Sequence, residues 1–261
     1  MTNLSGSIIY EGASMIDGAP IVAIAIPESR NDKAGGLLQV FVMRSDISPL
    51  EALASGKDKS VCGNCVARPA NGDFCYVVVA QSVNQVWKTY KRLPVIRKGK
   101  PTGKNFKGYA YALTHREITE VGRGHKIRKT AYGDGGAVPF EVWESLMYKS
   151  RGGNGYTHQW RGISSRYAQY FMASCNSPSE VKAAEAKGYR AFLMRTAEDP
   201  IPENTAICPA DKIHHGKMLA NCGDCMGCGG LKGKGTTHRA IIAHGAKHKI
   251  RKYQEWRAAN D

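Results

Sequence analysis

Residues 171–195 have the sequence FMASCNSPSEVKAAEAKGYRAFLMR, which predicts a strand, a helix and a second strand in succession. The first four residues are apolar enough for a buried strand. Ser177 and Pro178 then begin a helix over residues 180–187, because serine caps helix N-termini and proline is tolerated in the first turn. Gly188 stands where a helix-ending glycine is expected, and the last seven residues form the second strand. This unit favours an α/β fold with a mostly parallel sheet.

The same alternation of apolar runs and amphipathic segments continues on both sides of this unit. Strands are predicted at residues 20–26, 38–44, 127–132, 205–207 and 240–244, a short extended piece at 155–159, and helices at 82–92, 139–149 and 252–258. Two architectures fit the alternation: a barrel-like or partial βα-barrel, and an open α/β sheet. We treat the 261 residues as a single α/β domain.

A polar or ligand-type residue directly follows most of the predicted strands of the second half. Asp134, His158, Asn176 and Arg195 occupy such positions. Because active sites collect at the carboxyl ends of parallel strands, these four side chains are candidates for a catalytic pocket. Loops are polar in any case, so the pattern is also compatible with ordinary surface turns.

The cysteines near the C-terminus, in the segment 205–252, give the clearest chemical signal. Cys222, Cys225 and Cys228 form a C-x₂-C-x₂-C run, and Cys208 lies upstream in a Cys-Pro pair. The run and the Cys-Pro pair resemble the ligand pattern of bacterial ferredoxins, although here the Cys-Pro cysteine comes first. A [4Fe–4S] cluster is therefore favoured over Zn²⁺ at these four cysteines, and zinc stays open as the alternative.

A second group, in residues 60–76, contains Cys62, Cys65 and Cys75. Three thiolates leave the fourth ligand of a zinc or iron–sulfur site unassigned. Cys175 at a predicted strand end is our candidate, with three histidines as the alternatives: His158, His115 and His125. A fourth protein ligand would close a structural site, whereas an open position would make the centre catalytic.

The compartment expected for the chain supports metal ligation. No signal peptide precedes the first strand, and the longest apolar run is too short to span a bilayer. We therefore expect the cytoplasm, where thiols stay reduced and disulfides are rare. Eight cysteines grouped at two-residue spacings then indicate metal sites rather than a disulfide scaffold.

The charge balance indicates a polyanionic partner. The chain has 37 Lys and Arg against 22 Asp and Glu, a formal net charge of +15. Residues 88–107 form a basic loop with no acidic residue, and the segment after the C-terminal cysteines forms a second basic stretch. The candidate nucleic-acid contacts are Lys88, Lys91, Arg92, Arg97, Lys98, Lys100, Lys104, Lys107, Arg239, Lys247, Lys249 and Arg251. Cations of this kind track phosphates, and neighbouring aromatic rings can stack on bases.

In the order of its motifs, the chain resembles a family of bacteriophage proteins with CGxC…CY and CP…CxxCxxC cysteine patterns. The resemblance rests on VCGNC and FCYVVV (61–79), AYGDGGAVPFEVW (131–143), GYTHQW (155–160), MASCNSPSEVKAAEAKGYRAFLMR (172–195) and CP…CGDCMGC (208–228). Cys175 departs from the family pattern, in which this position carries no thiol. The resemblance implies a phage-encoded protein in the host cytoplasm and no particular mechanism.

Together these features predict a phage-type metal- or iron–sulfur-binding basic protein that binds or acts on nucleic acid, with a lean towards a metal-dependent enzyme. Two alternatives stay open: a non-catalytic zinc protein that binds DNA or RNA by charge, and a host-directed inhibitor that binds a protein. A Walker loop is excluded, because Gly235 stands where Ser or Thr should follow Lys234.

Overall fold

The computed structural model describes residues 6–27, 36–92 and 108–260. Their strands are β1 (Gly6–Ala13), β2 (Pro20–Ile26), β3 (Leu38–Arg44), β4 (Tyr109–Tyr111), β5 (Ile127–Tyr132), β6 (Gly153–Asn154), β7 (Tyr156–Thr157), β8 (Met172–Cys175), β9 (Ala191–Arg195), β10 (Thr205–Ile207) and β11 (His238–Ile242). Their α-helices are α1 (Pro49–Ala54), α2 (Lys59–Cys62), α3 (Ser82–Arg92), α4 (His115–Gly122), α5 (Phe140–Met147), α6 (Pro178–Ala186), α7 (Lys212–His215), α8 (Cys222–Cys225) and α9 (Lys247–Asn260).

The strands form two sheets that share one segment of chain. The six-stranded sheet has the order β4-β1-β2-β3-β5-β6, and the five-stranded sheet has the order β10-β11-β9-β8-β7. Only Gly155 separates β6 from β7, so a single extended segment lies at the edge of both sheets. A Cβ atom at Gly155 would lie 2.7 Å from Cε of Lys129 and 2.9 Å from the ring of Phe171, which restricts this junction to glycine.

Parallel pairing dominates from β3 onwards. β3, β5 and β6 run parallel, as do all the paired strands of the five-stranded sheet, whereas β1, β2 and β3 form an antiparallel meander. The expected α/β class with much parallel sheet is therefore confirmed. Among the described strands β4 and β10 are the outermost and do not pair with each other, so the sheet is an open, partial arrangement and not a closed barrel.

The main core lies between these strands and helix α5. Trp143 of α5 is fully buried, donates from Nε1 to the carbonyl of Gly135 at 2.9 Å and packs edge-on against Phe171, with ring centroids 5.2 Å apart. The buried strand residues Ile21 and Ile24 belong to the same core. Removing a buried aromatic ring of this kind costs about 3–5 kcal/mol, so this layer fixes the geometry of the strand ends.

Local capping sets the limits of the helices beside those strand ends. In α6 the Ser177 hydroxyl accepts from the N–H of Glu180 at 3.3 Å, Pro178 opens the first turn, and Gly188 follows with a φ of +79°. Helix α4 was not predicted from the sequence, although Thr114 and Glu117 form a complete capping box at its start. Such a box satisfies two unpaired backbone N–H groups and is visible in the sequence as T-x-x-E.

Candidate metal centres

The parallel strands bring the polar residues that come after them to one edge of the structure. Asp134 comes two residues after β5, His158 directly after β7, and Asn176 directly after β8. Because the strands from β5 through β8 are parallel, these positions share an edge, as the sequence predicted. Of the four predicted pocket residues, however, contacts join only Asp134 and His158.

Asp134 is the hydrogen-bonding centre of this edge. Its buried carboxylate accepts from the Thr157 hydroxyl at 2.6 Å, the His158 N–H at 2.7 Å and the Gly136 N–H at 2.8 Å. Three donors from two chain segments fix both oxygens, so the position of this carboxylate is determined by the fold.

The ring of His158 lies between Asp134 and Cys65. Its Nε2 is 3.6 Å from Sγ of Cys65, and its Nδ1 is 3.8 Å from Oδ2 of Asp134. Burial lowers the pKa of His158, but the neighbouring Cys65 thiolate outweighs that effect and raises it to about 9. Burial likewise raises the pKa of Cys65, and the charge and hydrogen bond of His158 bring it below its ordinary value. The neighbouring His158 therefore favours the thiolate form of Cys65.

Cys62 and Cys75 lie close enough to Cys65 for their charges to interact. Burial raises the pKa of both thiols, and the charge of Cys65 raises it further. The buried hydroxyl of Tyr132 faces this group without a hydrogen-bond partner, and burial followed by the charge of Cys62 raises its pKa. The three cysteines of residues 60–76 thus form one cluster with His158, which we call the first cysteine group.

The turn that carries Cys62 and Cys65 is held against the strand edge by Gln159. Its Nε2 donates to the carbonyl of Cys62 at 3.1 Å, and its Oε1 accepts from the N–H of Asn64 at 3.2 Å. Gly63 has a φ of +55°, and a Cβ atom there would overlap the Gln159 amide at 2.3 Å. The CGNC turn therefore requires glycine at this position both for its backbone conformation and for the close approach of the side chain.

The structure places Cys175 elsewhere. It is 1% exposed at the end of β8, within the hydrophobic core, and burial followed by the charge of Glu180 raises its pKa. His115 lies on α4, with Nδ1 2.8 Å from the Ser145 hydroxyl, and His125 lies in the turn after α4. Of the four residues proposed as fourth ligand, His158 is the one that contacts a cysteine of the group.

Asn176 and Arg195 are buried at strand ends but serve other contacts. The N–H of Asn176 donates to Glu180 Oε2 at 2.6 Å, at the start of α6. Nη1 of Arg195 donates to the carbonyls of Thr196, Ala197 and Asp199 at 2.8–3.1 Å, which fixes the loop after β9. The contacts in the described ranges therefore join Asp134 to His158 and give the other two a local structural role.

The four C-terminal cysteines line one small pocket. Cys208, Cys222, Cys225 and Cys228 surround it together with Asn154 and Tyr156, and we call these four the second cysteine group. Asn221 caps α8 by accepting from the N–H of Asp224 at 3.0 Å, and Met226 adopts a positive φ of 52° that reverses the chain towards Cys228. Burial raises the pKa of Cys228 to about 12, against a hydrogen bond from Tyr156.

Cations surround the second cysteine group, and no carboxylate of the described residues pairs with them. Lys129 is fully buried with no partner for its Nζ, and the charge of Cys228 acts on it. Arg190 is 5% exposed and donates only to the carbonyls of Gly227, Gly230 and Thr237. Nε of Arg239 is buried without a partner, and the charge of Arg239 acts on Arg190.

Arg128 completes this ring of cations. Its Nη2 donates to the Tyr76 hydroxyl at 3.0 Å, and its pKa is raised by Tyr76 first, with Cys222 among the further causes. Arg239 was predicted as a nucleic-acid contact, and none of the four cations was predicted to lie beside the cysteines. For Lys129 a signal exists, because the alternation Ile127, Lys129, Ala131 places the lysine on the buried face of β5.

As the side chains are placed, no three Cys, His, Asp or Glu residues in ranges 6–27, 36–92 and 108–260 could hold a metal ion. The thiols face one another in each group without being drawn together to ligating distance.

No helix in the described part of the chain is both long and apolar enough to cross a bilayer. Comparison with protein-family models, curated proteins and solved structures gives no match.

The predicted basic residues are distributed over several environments. Arg97, Lys98, Lys100, Lys104 and Lys107 lie outside the described residues, and so does the side chain of Arg92. Lys88 and Lys91 lie on α3, with the Lys91 ammonium 5.8 Å from the Trp87 ring and 5.5 Å from the Tyr90 ring. Lys247 and Arg251 are exposed on α9, whereas Lys249 is engaged by Asp73.

Proposed function

We propose that this chain is a metalloprotein that binds nucleic acid, with an anionic metal–thiolate centre at the second cysteine group. The observation that carries the proposal is the excess of buried positive charge around four cysteines. Lys129 and Arg190 are buried without a carboxylate partner, and Arg239 adds a third cation beside them. A buried charge of this kind costs several kcal/mol unless an opposite charge accompanies it.

A metal centre supplies that opposite charge. Four thiolates around Zn²⁺, or around a [4Fe–4S] core with two positive charges, leave a dianionic centre. Either centre would be held by Cys208, Cys222, Cys225 and Cys228. The C-x₂-C-x₂-C run favours the cluster, which with four cysteine ligands would supply electron transfer, whereas zinc would stabilise the fold. Lys129, Arg190 and Arg239 would balance the charge in both cases.

The first cysteine group supports a second centre in the same chain. Cys62, Cys65 and Cys75 converge at the carboxyl edge of the parallel strands, beside a buried hydroxyl of Tyr132 that lacks a partner. Zn²⁺ or an iron–sulfur centre at these thiols would give the chain two metal sites.

Metal analysis tests this part of the proposal. The protein is purified anaerobically, its visible spectrum is recorded, and iron, zinc and sulfide are counted per chain. A brown protein with about four irons and matching sulfide for a cluster supports a [4Fe–4S] centre, and a colourless protein with bound zinc supports the zinc form. Replacing Cys225 with Ser should remove the second centre's metal. Metal-free wild-type protein that folds normally, before and after reconstitution, would overturn the proposal.

The net charge of +15 supports the nucleic-acid part. Lys91 lies near two aromatic rings on α3, an arrangement that suits a phosphate beside a stacked base. Binding of labelled single-stranded DNA and RNA is measured at several salt concentrations. Affinity that falls steeply and linearly with the logarithm of salt supports phosphate contacts, and absence of binding at low salt would reject them.

A further inference from the structure

We propose that the first cysteine group is a closed Cys₃His metal centre with Cys62, Cys65, Cys75 and His158 as its four ligands. Asp134 is the positioning residue that orients the His158 ring. This inference rests on the proposed function, because it assumes that the chain binds metal. It assigns the fourth ligand and excludes an open catalytic position at this centre. Asp134 is then not a metal ligand but acts through His158.

The separation of Cys65 and His158 has the value that a shared metal requires. Zinc binds sulfur at about 2.3 Å and imidazole nitrogen at about 2.0–2.1 Å, so a tetrahedral ion holds the two donors about 3.5–3.6 Å apart. The Sγ–Nε2 distance is 3.6 Å. This one distance fits two donors at neighbouring corners of a tetrahedron. Cys62 and Cys75 are the thiols whose charges interact with that of Cys65, and a metal would have to draw them in to occupy the other two corners.

The opposite side of the imidazole also has the surroundings of a metal ligand. Histidine ligands usually donate their second ring N–H to a carboxylate, a backbone carbonyl or a water, which fixes the tautomer and the ring orientation. Oδ2 of Asp134 lies 3.8 Å from Nδ1 of His158 and is held in place by the backbone N–H of the same histidine at 2.7 Å. At 3.8 Å this contact is electrostatic and not a hydrogen bond, so a metal-bound ring would have to turn towards Oδ2 for Nδ1 to donate to it.

A Cys–His–Asp nucleophilic arrangement contains the same three residues and is the competing chemistry. It would explain Cys65, His158 and Asp134, but it gives no reason for two further thiols beside Cys65. It also requires an accessible thiol, whereas Cys65 is only partly exposed in the turn that Gln159 clamps. A four-ligand centre accounts for all of these groups.

The closed centre would join distant parts of the chain. His158 belongs to the strand edge, 93 residues away from Cys65. Cys75 lies next to Phe74, whose ring packs against Tyr253 and Trp256 of α9. A metal held by these ligands would therefore stabilise the strand edge, the cysteine loop and the terminal helix together.

The test uses the full chain loaded with cadmium-113, which replaces zinc and is visible by NMR, with histidine labelled with nitrogen-15. The wild type should give one resonance with a one-bond coupling to a histidine nitrogen, and that coupling should disappear in His158→Cys while the metal is retained. His158→Ala should lose one metal per chain. Asp134→Asn should keep the stoichiometry and bind about 10- to 100-fold more weakly. Cys175→Ala is the control and should leave the metal content and the histidine coupling unchanged.

Three outcomes separate the possibilities. Full metal content in His158→Ala, or no histidine coupling in a cadmium-loaded wild type, overturns the Cys₃His assignment while the second centre can still stand. A histidine-coupled resonance without metal at Cys208, Cys222, Cys225 and Cys228 supports this assignment and rejects the proposed second centre. Rapid alkylation of Cys65 that slows in His158→Ala, in metal-replete protein, would establish the nucleophile instead. Circular dichroism of His158→Cys shows whether the fold is intact.

Discussion

Nζ of Lys249 lies 2.9 Å from Oδ1 of Asp73 and 2.8 Å from the Asp73 carbonyl oxygen. The ammonium of Lys252 pairs with the other carboxylate oxygen. Because Asp73 stands two residues before Cys75, these contacts fasten the terminal helix α9 to the loop of the first cysteine group. Lys249, which was predicted from the sequence as a nucleic-acid contact, is thus engaged within the protein, and so is Lys252.

We expect Phe74→Ala to loosen this junction. The Phe74 side chain is 5% exposed and packs on Tyr253 and Trp256 at centroid distances of 5.3 and 5.7 Å. Its removal should lower the free energy of unfolding by about 3–5 kcal/mol and increase amide exchange in α9. Urea unfolding and hydrogen exchange measure both effects. Val78→Ala is the matched control, because Val78 is 56% exposed and should lose little stability. Equal losses in the two variants would contradict the packing argument.

The ion pair should add a pH-dependent contribution. Hydrogen bonds from Lys252 and then Lys249 lower the pKa of Asp73 below its ordinary value of 3.8. A lowered carboxyl pKa stabilises the fold above about pH 4, and this contribution is lost as the pH falls through the folded-state value. Since the pair is partly exposed, Asp73→Asn should cost only about 0.5–1 kcal/mol at pH 7.

The cost of Asp73→Asn should shrink as the pH falls below about 4, because the wild-type carboxyl then begins to take up a proton. Urea unfolding at pH 7 and pH 3 compares the two proteins. Glu198→Gln removes an exposed acidic charge and is the control, with no expected difference at either pH. A cost for Asp73→Asn that is unchanged at pH 3 would show that packing, and not charge, is responsible.

Strongly patterned segments could be predicted from the sequence. The strands over 20–26, 38–44, 127–132 and 205–207 and the helix over 82–92 were predicted with the bounds that the structure shows. These runs are apolar and bounded by turn residues, or strongly amphipathic, so local pattern and tertiary environment agree. The strand β1 was missed, because its sequence GSIIYEGA mixes glycine and polar residues, and it is defined by pairing with β2 and β4. Residues 76–80 are largely apolar in sequence but form no strand, and Tyr76 and Val78 are exposed there.

The two cysteine groups could be predicted from spacing, but the identity of the fourth neighbour of the first group could not. Cys175 was the sequence-based candidate, yet its position in β8 directs it into the core. His158 reaches Cys65 only because the CGNC turn folds over the strand edge, and Gln159 clamps it there. That contact depends on tertiary folding between segments 93 residues apart, for which no local pattern exists.

We expect Lys91→Gln to weaken nucleic-acid binding at low salt. Removing one phosphate contact should reduce the slope of log affinity against log salt by about 0.7–0.9. Fluorescence anisotropy with labelled single strands between low and moderate salt gives the slope. Lys182→Gln removes an equal charge from an exposed position on α6 and is the control. If both variants reduce the slope equally, the binding follows net charge and α3 is not the contact surface.

A substitution at Lys129 tests whether the second centre is negatively charged. Its ammonium is fully buried 5.7 Å from the Phe171 ring, and burial lowers its pKa from 10.5 to about 7, against the opposing charge of Cys228. With a lowered lysine pKa the unfolded chain holds the proton between about pH 7 and pH 10.5 and the folded chain does not. The contribution of Lys129 to the stability of the metal-free protein, read as the difference between wild type and Lys129→Met, should therefore rise with pH across that window by roughly 4–5 kcal/mol. The raised pKa values of His158 and of the buried thiols act in the opposite direction in both proteins and cancel in this difference.

Lys129→Met should abolish that rise and stabilise the metal-free protein at neutral pH, because an apolar side chain of similar length replaces a cation that must lose its proton. In the metal-loaded protein Lys129→Met should instead be unfavourable. A dianionic centre holds Lys129 charged, so its removal should weaken metal binding by roughly 10- to 100-fold, as other outer partners of metal sites do. Chelator competition and urea unfolding, each with and without metal, measure the two effects, with Lys182→Met as control. Stabilisation by Lys129→Met in both forms would mean that the second centre is not anionic, and the charge argument for it would fail.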